Sequence, residues 1–231
     1  MRQKTTAVLS AAALVLGMVG TAQAGTLEDV RDRGVLRCVV STGIAGFAQP
    51  DANGVWGGFD VDFCRATAAA VLGDASKIEA VTSTGKTRFT KLNAGEGDVL
   101  WRNTTITFSR DVSVKLRFHG VNYYDGQGFM VKKSLGVSSA SELDGASVCI
   151  QTGTTTELNL ADYFSSNGMK YEPVTIETND EARQNYEAGR CDVYTTDASG
   201  LASTRSALPD PDAHMVLPEI ISKEPLGPAT R

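Results

Sequence analysis

Strand and helix signals alternate along this chain in two separate runs, and no other feature restricts its fold as much. In the first run Thr26 is placed to cap a short helix, with Asp29 three residues on and Gly34 ending it. Val35 to Ser41 then reads as a buried strand. Asp60 is placed to cap the next helix, whose apolar positions Val61, Cys64, Ala68 and Val71 keep helical spacing until Gly73. A strand from Ile78 to Val81, a helix through Phe89 and Leu92 stopped at Gly95, and a strand from Asp98 to Trp101 complete the run. The polar, glycine-bearing segment Asn122 to Gly128 breaks the rhythm and reads as a crossing. Strands at Ala146–Gln151, Tyr171–Ile176, Asp192–Thr195 and Ala213–Leu217 then alternate with helices that open after Gly153, at Asn179 and near Ser199. Such alternation implies α/β architecture with parallel sheets, and two runs joined by a crossing imply two lobes.

The first residues read as an address. Arg2 and Lys4 give a positive start, Ala7 to Val19 is apolar, and Ala22-Gln23-Ala24 fits a small-x-small cleavage site before Gly25. The apolar run is short for a bilayer span, which takes ~20 residues. Residues 1–24 are therefore read as a signal peptide and the remainder as soluble and exported, with a retained anchor as the alternative. The formal charge is −5, and the leader carries Arg2 and Lys4 but no acid, so the exported part is more acidic still. An acidic chain without a basic run is a poor partner for nucleic acid or anionic membrane surfaces.

Export makes Cys38, Cys64, Cys149 and Cys191 readable as disulfide partners, with three pairings open. Cys38–Cys64 with Cys149–Cys191 is favoured, because each bond closes a loop within one half of the chain. A metal site is a weak rival: no pair has C-x-x-C spacing, and neither His119 nor His214 sits near a cysteine. Four free thiols are the other alternative.

Three places carry binding chemistry. Asn103-Thr104-Thr105-Ile106-Thr107-Phe108-Ser109-Arg110 gathers hydroxyls and one guanidinium without a Lys, Asp or Glu. A planar Arg fork with hydroxyl donors suits a carboxylate, although a solvated strand end would look the same. Thr154-Thr155-Thr156 follows Gly153 at a strand-to-helix turn, where free amides bind anions or where threonine simply caps the helix. Asp197 ends a strand, positioned to meet a cation or to cap the following helix. Phe47, Trp56, Phe59, Tyr123 and Tyr124 are placed to wall a cleft or to pack a core. No nucleophile motif surrounds either histidine, and neither a metal cluster nor a glycine-rich dinucleotide loop is present.

Together these pieces resemble a known family, the periplasmic amino-acid-binding proteins of bacterial ABC importers (solute-binding family 3), and within it the general L-amino-acid-binding subgroup. The matching stretches are Gly34 to Cys38, Ser41 to Gly43, Gly58 to Ala66, Arg102 to Arg110, Gly120 to Met130, Cys149 to Glu157, Gly189 to Asp197 and Leu217 to Pro228. The resemblance implies an α/β, two-lobe periplasmic binding protein of type II (a Venus-flytrap): lobe 1 over 25–122, a crossing hinge over 123–129, lobe 2 over 130–217, and a return crossing over 218–231. Relatives continue with helices beyond Pro228, so the first lobe is expected to be incomplete at the C-terminus and weakened. The resemblance further implies that Arg110 and Thr105 hold a ligand α-carboxylate, aided by Thr154 and Thr155 from the other lobe. Asp197 and the backbone carbonyl near Asn103 would hold the α-amino group, and Ser41 and Phe47 would meet the side chain. It implies the favoured cysteine pairing as well.

The expected function is the substrate-binding component of an amino-acid ABC importer, a periplasmic monomer that needs no metal or cofactor. It would capture L-amino acids, broadly or with a polar and acidic preference, and deliver them to a membrane permease. It is not expected to be an enzyme. The rival enzyme is a dehydratase or lyase on the same fold acting on a prephenate-like acid, which would need a general acid from His119 or a cleft Glu. A sensory domain and an inactive truncated remnant are further rivals.

Overall fold

A computed structural model describes residues 26–231, so the signal-peptide reading lies outside the described residues. The first sheet is built from β1 (Leu36–Ser41), β4 (Ile78–Ser83), β5 (Val99–Leu100), β6 (Arg117–Phe118) and β13 (Ala229–Thr230), in the order β4-β1-β5-β13-β6; a small ribbon, β2 (Gln49–Pro50) with β3 (Trp56–Gly57), stands beside it. Strand β1 lies between β4 (Leu36↔Ile78 to Ser41↔Ser83) and β5, parallel to both, which explains why Leu36, Cys38, Val39 and Val40 are all buried. Helices α1 (Thr26–Arg33) and α2 (Phe59–Leu72) cover one face, where Val30, Cys38, Val40, Val61, Cys64 and Ala68 pack. Helices α3 (Arg88–Asn93) and α4 (Phe108–Val112) belong to the same lobe, and Leu92 joins Val39, Leu100, Leu116 and Ala229 on the other face. Buried Asp98 anchors the start of β5, accepting the Arg37 N–H at 2.8 Å and pairing with the guanidiniums of Arg33 and Arg37.

The second sheet contains β7 (Tyr123–Lys132), β8 (Ser147–Gln151), β9 (Glu172–Ile176), β10 (Val193–Asp197) and β11 (His214–Val216), in the order β11-β7-β10-β8-β9, with β12 (Ser222–Leu226) on β7. Strands β8, β9 and β10 run parallel, while β7 is antiparallel to β10, β11 and β12. The sheets are thus mixed rather than purely parallel. Helix α5 (Thr155–Ser166) buries Leu160 and Phe164 on Phe129, Val148 and Ile150. On the opposite face, α6 (Asn179–Glu187) and α7 (Ala198–Ser206) bury Tyr186 and Leu201 with Met130, Cys149 and Tyr194. Each lobe carries one disulfide, Cys38–Cys64 and Cys149–Cys191, the pairing favoured from the sequence. No helix among the described residues is long and apolar enough to cross a membrane.

Three local expectations are corrected. The crossing segment Asn122 to Gly128 is mostly strand, because β12 supplies it with a ladder (Glu224↔Asp125, Leu226↔Tyr123). Its glycine at 126 is packed so closely that an added Cβ would lie 2.3 Å from Ile220 Cγ2. Asp60 does not cap α2: Gly58 stands at the cap with φ 112°, and Asp60 turns inward to accept the Asn103 N–H at 3.1 Å. Asn179 does not cap α6 either; the Thr178 hydroxyl does, accepting the Glu181 N–H at 3.1 Å.

Candidate functional site

Strand ends from both lobes converge between the two sheets. The turn after β1, the loop after β5, the end of β10 and the start of α5 face one another. Asn179 Nδ2 donates to the Gly43 carbonyl at 3.3 Å, and Asn103 Nδ2 reaches Asp197 Oδ2 at 3.5 Å. At the rim a Cβ on Gly153 (φ +72°) would stand 2.9 Å from Lys86 Cα, and one on Gly85 would stand 2.8 Å from Thr154 Cγ2. The lobes are therefore closed on each other. A small cavity of ≈ 20 Å³ remains among Arg88, Arg102, Asn103, Thr105, Thr154, Thr155 and Asp197. A wider one of ≈ 180 Å³ opens from Asn103 and Thr196 toward Thr42, Gln49, Asn179, Arg183 and Thr204.

Three buried guanidiniums concentrate positive charge on the first-lobe side. Arg110 Nη1 donates to the Thr105 carbonyl at 2.7 Å, and its guanidinium lies 5.1 Å from the Phe89 ring centre. Arg88 reaches the Asn103 carbonyl at 3.4 Å and Thr104 Oγ1 at 3.3 Å. Burial holds Arg88 well below the ordinary arginine range, with the charges of Arg102 and Arg110 adding to the effect. Burial likewise lowers Arg102 and Arg110 to about 10. The Nε groups of Arg88 and Arg102 are buried without an acceptor. A buried donor left unpaired costs about 1–3 kcal/mol, so this cluster is held in place at an energetic cost.

The acids are arranged against this charge. Burial pushes the Asp197 carboxyl up to about 7, assisted by Asp125 and Glu224, while Arg88 and the Asn103 amide pull it down. Burial raises Asp60 to about 6, opposed by the Asn103 N–H and by Arg102. Glu224, on β12, is buried and bonded to side chains from both lobes. An anion-binding wall therefore faces a carboxylate that a cation would hold in its ionised form. That is the recognition chemistry of a zwitterion.

Comparison with known proteins fits this geometry. The pattern shared by the bacterial extracellular solute-binding proteins, family 3, matches residues 36–164. The chain belongs to this family. The glutamate/glutamine/aspartate/asparagine-binding protein BztA of Rhodobacter capsulatus is 60% identical over 99% of this chain and 68% of its own length. The general L-amino acid-binding periplasmic protein AapJ of Rhizobium johnstonii is 57% identical over 97% of this chain and 66% of its own. A solved ABC transporter periplasmic binding protein from Brucella ovis with glutathione bound superposes with a TM-score of 0.87 at 56% identity, covering 90% of this chain and 65% of that one. The chain thus spans about two thirds of the length of these relatives.

Within this solute-binding protein, Asn103, Thr105, Thr154, Thr155 and Asp197 come together around the small cavity. Arg110 stands beside Thr105, while Arg88 and Arg102 form the guanidinium part of the cavity wall. Ser41 and Phe47 point elsewhere. The Ser41 hydroxyl donates to the Ala48 carbonyl at 3.2 Å, and Phe47 packs edge-on against Phe59 and Tyr123. Their neighbours Thr42, Gly43, Ile44 and Ala45 line the wider cavity instead. His119 is exposed and bonded to Thr230 at 2.9 Å, and His214 is bonded to Tyr186, so neither reaches the cleft. Among the described residues no group of three or more His, Cys, Asp or Glu is placed to hold a metal.

Sequence reasoning missed Arg88, Arg102 and Glu224. Arg88 resembles any helix-start arginine until the fold buries it. Arg102 adjoins the Asn103–Arg110 stretch but lacked a reason to be singled out. Glu224 had a readable signal: in an extended segment Ser222, Glu224 and Leu226 share one face, and Leu226 is buried.

Proposed function

We propose that this protein captures L-amino acids in the periplasm and delivers them to the membrane permease of an ABC importer. One observation carries the reading: a buried guanidinium cluster faces buried Asp197 across a closed interlobe cleft. A ligand α-carboxylate belongs with Arg110 from the first lobe and with the backbone amides that open α5 at Thr154 and Thr155 in the second, while the Thr105 and Thr155 hydroxyls are already committed to Glu224. The α-ammonium belongs with Asp197 and the Asn103 carbonyl. The small cavity holds little more than a water or two, so a ligand enters an open form and the lobes close behind it, a ligand-driven population shift.

The side chain would extend into the wider cavity, whose polar wall of Thr42, Gln49, Asn179, Arg183 and Thr204 suits amide and acidic side chains. Ser41 and Phe47 support that wall by shaping the loop after β1. The names of BztA and AapJ agree with a broad, polar preference, and the glutathione-bound relative with ligands longer than one amino acid. Thermal-shift measurement with the twenty amino acids and glutathione tests the reading. Stabilisation by glutamate, glutamine, aspartate or asparagine is the expected result. No shift with any amino acid at millimolar concentration would overturn it.

A further inference from the structure

Thr105 and Thr155 stand on opposite lobes, and both line the small cavity. A threonine hydroxyl has one proton and two lone pairs, so what it offers a ligand depends on where that proton already goes. Behind the two threonines sits Glu224, buried and outside the cavity wall. Its Oε2 accepts from Thr105 Oγ1 and, at 2.9 Å, from Thr155 Oγ1, both shorter than the 3.3 Å between the two hydroxyls, so each proton goes to the carboxylate rather than to the other threonine. Its Oε1 accepts from Asn159 Nδ2 at 2.7 Å and from Ser222 Oγ at 2.6 Å. Two donors per oxygen fill the carboxylate's capacity, and a carboxylate cannot donate in return.

We propose that Glu224, carried on the return strand of the hinge, sets the hydrogen-bond polarity of the site by taking the hydroxyl protons of Thr105 and Thr155. Both threonines then present oxygen lone pairs to the cavity and accept from the ligand's ammonium, beside Asp197. Carboxylate binding is left to the guanidiniums and to the backbone amides that open α5. Glu224 is a positioning residue: it touches no ligand and acts through two hydroxyls, one from each lobe. Because β12 also crosses between the lobes, the same carboxylate gathers the first lobe, the second lobe and the hinge only when the cleft is closed. The inference rests on the amino-acid reading above and specifies how that site distinguishes an amino acid from a plain acid.

The test compares L-glutamate with glutarate, the same dicarboxylate skeleton without the ammonium, by titration calorimetry. The wild-type protein should prefer L-glutamate strongly. Glu224→Ala frees both hydroxyls to rotate and donate, and should shrink that preference by about tenfold or more, the effect of losing oriented acceptors for a charged donor. Glu224→Gln keeps an amide oxygen for the threonine pair and should restore most of the loss. Thr155→Val removes one lone-pair donor at nearly constant shape and should shrink the preference severalfold. A folded Glu224→Ala protein with undiminished preference would overturn the proposal. If that variant does not fold, an unchanged preference in Thr155→Val overturns it instead. A wild-type protein that binds no amino acid overturns the underlying reading, a different outcome from either.

Discussion

Among the described residues, the second lobe fills both faces of its sheet, whereas the first leaves part of one face open. In the second, Phe129, Leu160 and Phe164 pack one side and Met130, Tyr186, Tyr194 and Leu201 the other, all at most 1% exposed. In the first, a groove of ≈ 410 Å³ runs along Leu27, Val30, Leu36, Val71, Val99 and Trp101, and three strands of the sheet, β5, β6 and β13, are only two residues long. The site is divided just as unequally. The thinner lobe holds the three guanidiniums, and the fuller one holds Asp197 and the start of α5. Each half alone buries charge it cannot neutralise. In the proposed reading, closing the cleft around a zwitterion pairs both halves.

Removing the disulfides is the strongest way to break this comparison. The loops closed by Cys38–Cys64 and Cys149–Cys191 span 26 and 42 residues, for which the loop-entropy model gives about 3.5 and 4 kcal/mol. Although its loop is shorter, the Cys38→Ala/Cys64→Ala variant should show a separate low-temperature transition in calorimetry, because its lobe has less packing in reserve. A single cooperative transition would show that the lobes are equally robust.

Next in size, Arg110→Ala and Asp197→Asn should each weaken L-glutamate binding by about 100-fold, the scale of losing a charge-assisted contact in a buried site. They should differ in stability. Asp197 has its carboxyl raised from 3.8 to about 7, so between those pH values the folded state holds a proton that the unfolded chain releases. Stability of the ligand-free protein therefore falls as pH rises through that window. Asp197→Asn removes the burden, and its melting temperature at pH 7 should exceed that of the wild type even as binding is lost. A lower melting temperature would contradict the burial of an uncompensated charge.

A smaller effect concerns pH and affinity. An ammonium needs the ionised Asp197, so affinity should drop by roughly tenfold per pH unit below about 7. A flat affinity from pH 5 to 7 would remove Asp197 from the contact. Smallest of all, amide exchange should be faster in β1 and β5 than in β8 and β10. Equal protection would mean that the open groove has no bearing on local stability.

The parts of this molecule that were legible in the sequence are those with local signals. The repeated β-α rhythm, the helix-ending glycines at 34 and 73, and the positions of Thr105, Thr154, Thr155 and Asp197 near element ends follow from short-range patterns, whereas their meeting in one cleft was implied only by the family resemblance. The pairing of β12 and β13 was not legible: Ser222, Glu224 and Leu226 alternate onto one face, but Pro225 and Gly227 weaken the strand pattern, and only the partners β7, β5 and β6 fix where these strands sit. Ser41 and Phe47 were read as ligand neighbours because they lie on the right loop. Which side of a loop faces the cleft is decided by packing, here the cluster of Phe47 with Phe59, Tyr123 and Leu226. Arg88, on α3, and Arg102, in the loop after β5, carry no sequence mark of burial, since a covered arginine and a wet one are written with the same letter.

The lobes are joined by two strands, β7 and β12, that are hydrogen-bonded to each other over Tyr123–Gln127 and Ser222–Leu226. Such a connection is a strap rather than a string. A lone strand swivels about its own axis, but a paired strap resists that torsion and bends only across its face. The search for the closed pose thus becomes a swing in one dimension. Each swing brings the arginines back opposite Asp197 already aligned, and the ligand has only to stop the door, not steer it.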